Sequence, residues 1–152
     1  MENQIEKTIR LKAPMSRVWR ALTDHREFSE WFKMNLNAPF VAGSETIGHV
    51  NCGAAENLEV RIKVVKMEPE TLFSYTWHPY AIDPDRDYSA EEPTHVTFRL
   101  ADHGGETELT VTETGFTNLP ADRRLEAFRM NTEGWTVQVD NIKRYVEARI
   151  DA

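Results

Sequence analysis

Glu113 is the residue whose type and position most directly suggest chemistry. Leu109 and Val111 alternate with threonines within residues 106–114, a segment that is predicted as a β-strand. Strand parity places Glu113 with Leu109 and Val111 on the inward face. A carboxyl group there would be partly removed from water and could act as a general acid or base, or hydrogen-bond a ligand. Alternatively, the strand ends earlier and Glu113 is solvated at the rim, or an arginine pairs with it.

The histidines and the single cysteine offer weaker candidates for chemistry. His78 is predicted on the solvent face, and no Ser, Cys or Asp stands at a spacing that would orient it, so an exposed histidine is favoured over a catalytic one. His49 and Cys52 lie three residues apart on a predicted strand and point to opposite faces, which excludes a joint metal site. Cys52 alone is either a reactive thiol or, the favoured interpretation, a small apolar filler.

An acidic run imitates the start of a calcium-binding loop. Asp83, Asp85 and Asp87 alternate as calcium ligands do, but Tyr88 replaces the glycine of the sharp turn and Thr94 the final bidentate glutamate. A solvated acidic loop is the better interpretation. The sequence also lacks GxSxG, HExxH, paired CxxC, Walker and GxGxxG motifs. It therefore predicts no metal site and no cofactor.

A set of large apolar residues is the candidate wall of a ligand pocket. Aromatic rings supply wide contact area, and the Tyr75 hydroxyl or a tryptophan N–H could fix the orientation of a flat or aliphatic guest. For any single member, ordinary core packing is the alternative interpretation. The candidate ligand-binding residues are Trp31, Phe32, Phe73, Tyr75, Trp77, Phe98, Phe128, Trp135 and Val139.

The elements that would position these residues follow one another in a clear order. Residues 5–12 alternate apolar and polar side chains and predict a half-buried strand, which Ala13-Pro14 ends. Two short helices with apolar stripes follow, and Asp24 with Glu27 resembles a capping box for the second. Residues 33–45 show no clean period and predict an irregular loop. Five further strands are predicted near residues 46–52, 57–67, 71–78, 94–101 and 106–114.

Short connections predict that these strands form an antiparallel meander. Turn residues 68–70 and 102–105 each join two neighbouring strands, whereas the long polar connection 79–93 predicts a mobile loop at the rim. A long C-terminal helix is predicted from an apolar stripe formed by Trp135, Val139, Ile142 and Val146. This order of parts predicts a sheet curled around its last helix, with a hollow, mostly apolar pocket between them.

Size and charge narrow the classes of function. A chain of 152 residues predicts one domain, 1–152, and its net charge of −7 with scattered basic residues makes nucleic acid an unfavourable partner. The single Cys52 excludes an intrachain disulfide, and no signal peptide is recognisable. The mean hydropathy of −0.56 and the absence of a long apolar run predict a soluble, cytoplasmic protein with no membrane insertion.

Several short motifs, in order and spacing together, resemble one family over nearly the whole chain. The sequence is similar to the branch of the START and birch-pollen-allergen helix-grip superfamily (SRPBCC) that resembles activators of the heat-shock-ninety ATPase. The motifs that carry the resemblance are Ala13-Pro14, Val18-Trp19, Ala21 to Asp24, Trp31-Phe32, Leu72 to Trp77, Leu109 to Thr114, Gly115-Phe116 and Gly134-Trp135.

The resemblance implies an α+β helix-grip fold, in which an antiparallel sheet wraps around a long C-terminal helix and two small helices close one end. It implies a cavity between sheet and helix, and members of the superfamily include lipid carriers, hormone receptors, cyclases and aromatases. The leading hypothesis is therefore binding of a small hydrophobic or aromatic molecule. The alternatives are a chaperone-ATPase-activating interaction module and a cyclase-like or hydrolase-like enzyme that uses Glu113. A homodimer is a further hypothesis.

Overall fold

The computed structural model describes residues 3–51, 57–83 and 85–148. The candidate thiol Cys52 lies outside these residues. The elements, in chain order, are β1 (Gln4–Leu11), α1 (Met15–Thr23), α2 (His25–Phe32), β2 (Met34–Leu36), β3 (Glu45–Val50), β4 (Glu59–Glu68), β5 (Leu72–Trp77), β6 (Thr94–His103), β7 (Glu106–Thr114), a 3₁₀ turn (Phe116–Asn118) and α3 (Arg124–Ala148).

The strands form one curved antiparallel sheet beside the long C-terminal helix, as the sequence predicts. The strand order is β1-β7-β6-β5-β4-β3-β2, so the chain runs as a meander from β2 to β7 and β1 covers the free edge of β7. Helix α3 contacts β1, α1 and α2. This arrangement is the helix-grip fold. Among the described residues, no helix combines the length and apolarity that crossing a bilayer requires.

Strand β2 corrects the prediction of an irregular loop over residues 33–45. Met34 and Leu36 pair with β3, opposite Val50 and Gly48. A strand of three residues is too short to show a period in sequence. The close approach depends on Gly48, since a Cβ there would lie 2.9 Å from both the Met34 sulfur and a Leu36 methyl carbon.

Asp24 begins helix α2 as the predicted cap. Its carboxylate accepts hydrogen bonds from the backbone N–H groups of Arg26 (2.9 Å) and Glu27 (3.3 Å). In a capping box the Glu27 side chain would accept a hydrogen bond from the Asp24 backbone N–H. Here it pairs instead with Arg17 and Arg20, 2.7 and 2.8 Å away. Desolvation alone would raise the pKa of Asp24, but the hydrogen bonds from Arg26 and Glu27 together lower it.

Asp24→Ala is expected to lower the free energy of unfolding by about 1 kcal/mol, since the first turn of α2 loses its acceptor. The folded-state pKa of Asp24 is lowered, so the stabilisation is present above the ordinary carboxyl pKa of about 3.9 and is lost as the pH falls below it. Urea unfolding at pH 7 and pH 3 measures both effects. Asp140→Ala, at an exposed ion pair on α3, is the matched control and should change stability by less than about 0.5 kcal/mol. Equal losses for Asp24→Ala at the two pH values would contradict the capping role.

The register of the sheet places Tyr75 and Glu113 in one row across it. Tyr75 of β5 pairs with Val96 of β6, which pairs with Glu113 of β7, which in turn pairs with Ile5 of β1. All of these side chains are buried and face the helices. The other buried residues of this face are apolar or, like Thr94 and Thr107, polar but uncharged, which makes Glu113 its exceptional member.

The rim loop (residues 79–93) is fastened by charged side chains to the residues around the start of α3. The guanidinium of Arg123 lies 2.8 Å from the Glu91 carboxylate, and these side chains are only 8% and 7% exposed. Arg123 also donates to the Tyr80 carbonyl at 3.1 Å and lies over the Tyr88 ring at 4.7 Å. Arg86 adds a bond of 2.8 Å to Asp122. The Tyr80 hydroxyl also donates to the Glu126 carboxylate of α3 at 3.2 Å, so the loop packs against the start of this helix.

Candidate functional site

Glu113 is fully buried near the end of β7, and strand β7 continues through Thr114. This excludes the solvated-rim alternative. No lysine, arginine or histidine of the described chain forms an ion pair with it, which excludes the second alternative for those residues. The burial inferred from strand parity is observed, whereas a catalytic role for Glu113 stays a prediction.

Four neutral donors surround the Glu113 carboxylate. Trp77 Nε1 and Thr94 Oγ1 donate to Oε2 at 2.8 and 2.5 Å. Asn131 Nδ2 and Trp135 Nε1 donate to Oε1 at 2.9 and 2.8 Å. A carboxylate offers about four lone-pair positions, so both oxygens are saturated. The negative charge is hydrogen-bonded without a neighbouring cation among the described side chains.

The carboxylate joins the sheet to the helix. Trp77 is the last residue of β5 and Thr94 the first of β6, and the two pair directly in the ladder. Asn131 and Trp135 lie four residues apart on α3 and therefore share one face of the helix. Glu113 thus fixes the two strand ends that bracket the rim loop against the middle of α3.

Aromatic rings fill the space between sheet and helix at this level. Trp77 stacks on Trp135 with ring centroids 5.9 Å apart and planes at 30°. Phe32 meets both rings edge-on at 5.9 and 6.0 Å, and Phe98 lies 5.8 Å from Trp135. The hollow predicted from the sequence is therefore occupied here by the side chains that were expected to line it.

Tyr75 places a second buried polar group next to Trp77. Its ring lies 5.2 Å from Trp77, and its buried hydroxyl has no hydrogen-bond partner within the part of the chain that the structure describes. Burial, and secondarily the charge of Glu113, raise the pKa of Tyr75 well above its usual value, so the hydroxyl is protonated and able to donate.

A cleft of about 140 Å³ opens over the tryptophan pair. It brings together three of the predicted pocket residues with three that the sequence analysis missed. The lining residues are Phe32, Trp77, Asn131, Gly134, Trp135 and Gln138. Helical spacing could have revealed Asn131, which lies one turn before Trp135. No sequence pattern could have indicated Thr94, because its hydrogen bond to Glu113 depends on the pairing of β6 with β7.

The other predicted pocket residues lie elsewhere. Trp31 donates its indole N–H to the Ala21 carbonyl at 2.8 Å and faces a separate cleft of about 350 Å³ between α2 and α3. Phe128 packs on Phe116 at 5.2 Å. Three more members belong to the core or pack against it: Phe73, Phe98 and Val139.

The remaining candidates for chemistry have local structural roles. Asp83 accepts the backbone N–H of Asp85 at 2.9 Å and Asp87 that of Ser89 at 2.9 Å, as residues in tight polar turns do. No group of three His, Cys, Asp or Glu side chains within residues 3–51, 57–83 and 85–148 could hold a metal ion. His78 is half-buried instead of exposed, and burial lowers its pKa.

Residues 12–147 match the family model described as activator of Hsp90 ATPase homolog 1-like protein. The chain belongs to this family. No curated protein sequence matches it significantly.

Solved structures share the fold of this family member at low sequence identity. DynU16, a protein of the dynemicin biosynthetic locus, has 24% identity and a TM-score of 0.74 over 97% of this chain, which spans about half (48%) of DynU16. MLL2253 from Mesorhizobium loti has 23% identity and a TM-score of 0.74, covering 95% of this chain and 97% of its own. The Aha1 dimer from Colwellia psychrerythraea has 19% identity and a TM-score of 0.72, covering 96% and 97%. Identities this low establish the fold alone.

Proposed function

We propose that this protein binds a small hydrophobic or aromatic molecule at the seam between the sheet and α3. The observation that carries the proposal is the cleft over Trp77 and Trp135, where a stacked pair of rings forms an apolar floor beside polar groups. Sites for small molecules commonly combine aromatic walls with a few fixed polar atoms. Asn131 and Gln138 supply such atoms at the edge of this cleft.

The cleft volume indicates the size of guest that fits without rearrangement. About 140 Å³ is close to the roughly 150 Å³ cavity that accepts benzene in an engineered protein core. One aromatic ring therefore fits directly. A larger guest requires Phe32 or Trp77, both only partly buried, to turn away from Trp135.

Gly134 supports the proposal because it is an unfavourable residue for the middle of a long helix. Glycine there costs roughly 0.5 to 1 kcal/mol relative to alanine. Packing does not require it, since a Cβ at Gly134 would meet nothing within 4 Å. The missing side chain leaves the cleft open. A residue that lowers helix stability is expected at a position where an open binding site is needed.

Gly134→Leu is expected to fill the cleft and weaken binding of naphthylmethanol, a neutral aromatic probe, by at least about tenfold. Gly134→Ala should stabilise the fold by about 0.5 to 1 kcal/mol and change binding less. Titrations followed by NMR chemical shifts and by thermal unfolding measure both quantities. The matched control is Val137→Leu, an exposed position on the same helix. If the wild-type protein binds neither naphthylmethanol nor its amine or carboxylate analogue, the proposed function is refuted.

One of the structural neighbours comes from a biosynthetic locus, which is consistent with a small-molecule guest. The family description favours a second candidate, stimulation of a chaperone ATPase. The ATPase rate of a purified Hsp90 with and without saturating protein separates these functions, because cleft variants should leave a protein-interaction activity unchanged. The enzyme hypothesis, with Glu113 moving a proton, has no geometric support beyond burial of the carboxylate, and the homodimer stays a prediction.

A further inference from the structure

We infer that the guest of this cleft is an aromatic molecule with a cationic amine, which the Glu113 carboxylate recognises. The inference rests on the proposed function and specifies the chemical class of its ligand. Three observations carry it: the position of the carboxylate, the nature of its donors, and the charge of the molecule.

Glu113 is hydrogen-bonded to residues that line the cleft. Three of the residues that line the cleft, Trp77, Asn131 and Trp135, each donate a hydrogen bond to its carboxylate. A guest that parts the two indoles therefore reaches the carboxylate oxygens in place of an indole N–H. The displaced rings remain available to stack on the guest.

The donors around Glu113 leave its charge without a cation. All four are neutral groups, and the described part of the chain provides no ion pair to this carboxylate. Buried charges are ordinarily paired, and a hydrogen bond between two charged groups is stronger than one from a neutral donor. An ammonium group on the guest would supply the missing positive charge, and the aromatic body would fill the apolar cleft.

The net charge of the molecule favours a cation over an anion. The chain carries a net charge of −7, which attracts cations and repels carboxylate ligands such as fatty acids.

Three probes of similar size separate the classes of ligand. Naphthylmethylamine, naphthylmethanol and naphthoate are titrated into the wild-type protein at pH 7 and physiological salt, with NMR chemical shifts as the readout. The amine should bind at least about tenfold more tightly than the alcohol, and the naphthoate most weakly. Equal affinities would overturn the inference while leaving the proposed function intact. Binding of none of the three would refute both.

Variants show whether the preference comes from Glu113. Glu113→Gln should reduce the ratio of amine to alcohol affinity to about one, because the carboxylate charge is lost. Asn131→Ala keeps the carboxylate and removes one competing donor, so this ratio should rise. Asp140→Asn removes an exposed charge from α3 and should leave the ratio unchanged. If Glu113→Gln does not fold, an unchanged or lower ratio in Asn131→Ala overturns the inference.

Discussion

Glu113→Leu is expected to lower the free energy of unfolding by about 3 to 5 kcal/mol, one of the two largest effects expected in this fold. The carboxylate accepts four hydrogen bonds, and leucine accepts none. The indole N–H of Trp135 and the hydroxyl of Thr94 would remain buried without their acceptor. The link between the ends of β5 and β6 and the middle of α3 would be lost. Urea unfolding followed by tryptophan fluorescence measures the change.

Two controls isolate the role of the buried carboxylate. Glu113→Gln retains one acceptor oxygen and should lose less stability than the leucine variant. Glu108→Gln changes the same type of residue on the same strand but on the opposite, partly exposed face, and should cost less than about 0.5 kcal/mol. A Glu113→Leu variant as stable as the wild type would show that the hydrogen bonds do not hold sheet and helix together.

Arg123→Met is expected to lower the free energy of unfolding by about 3 to 5 kcal/mol, because it leaves the Glu91 carboxylate buried without its main cation. Arg86, 3.2 Å from Glu91, compensates in part. The substitution also removes the bond to the Tyr80 carbonyl and the contact with the Tyr88 ring. The rim loop should therefore detach from α3. Chemical denaturation gives the loss of stability, and limited proteolysis shows whether residues 79–93 become accessible.

The double variant Arg123→Met/Glu91→Leu tests the pair itself. Removing both charges should be less destabilising than the sum of the single substitutions, with a coupling energy of about 0.5 to 3 kcal/mol. Arg144→Met, at an exposed ion pair on α3, provides the control and should have little effect on stability. Additive losses would mean that Arg123 and Glu91 contribute separately and do not fasten the loop as a pair.

Local patterns in the sequence were sufficient to predict most elements of this fold. The alternation of Leu109 and Val111 with threonines predicted β7, the helical stripe from Trp135 to Val146 predicted α3, and the short turns predicted the hairpins. Strand β2 escaped prediction because three residues carry no measurable period, and its pairing depends on Gly48 in a distant segment. Contacts that are set by strand pairing, and not by a local period, are the ones that local patterns miss.

The site was predictable only in part for the same physical reason. Parity placed Glu113 inward, but its donors Trp77, Thr94 and Asn131 come from three other elements that only the sheet register and the position of α3 bring together. The acidic loop was predicted to be solvated because Glu91 and Arg123 are 32 residues apart, and no local pattern indicates that they pair. Composition could not show whether aromatic residues line a space or fill it, since that depends on ring orientation.

The indole N–H resonances of Trp77 and Trp135 test the central claim most directly. Both groups donate to Glu113, whereas the N–H of Trp31 donates to the Ala21 carbonyl at a different place. On titration with naphthylmethylamine, the account predicts that the Trp77 and Trp135 resonances shift together and saturate while the Trp31 resonance stays in place. Saturable shifts of Trp31 alone, or no shift of any indole resonance, would contradict a guest at the seam between sheet and helix.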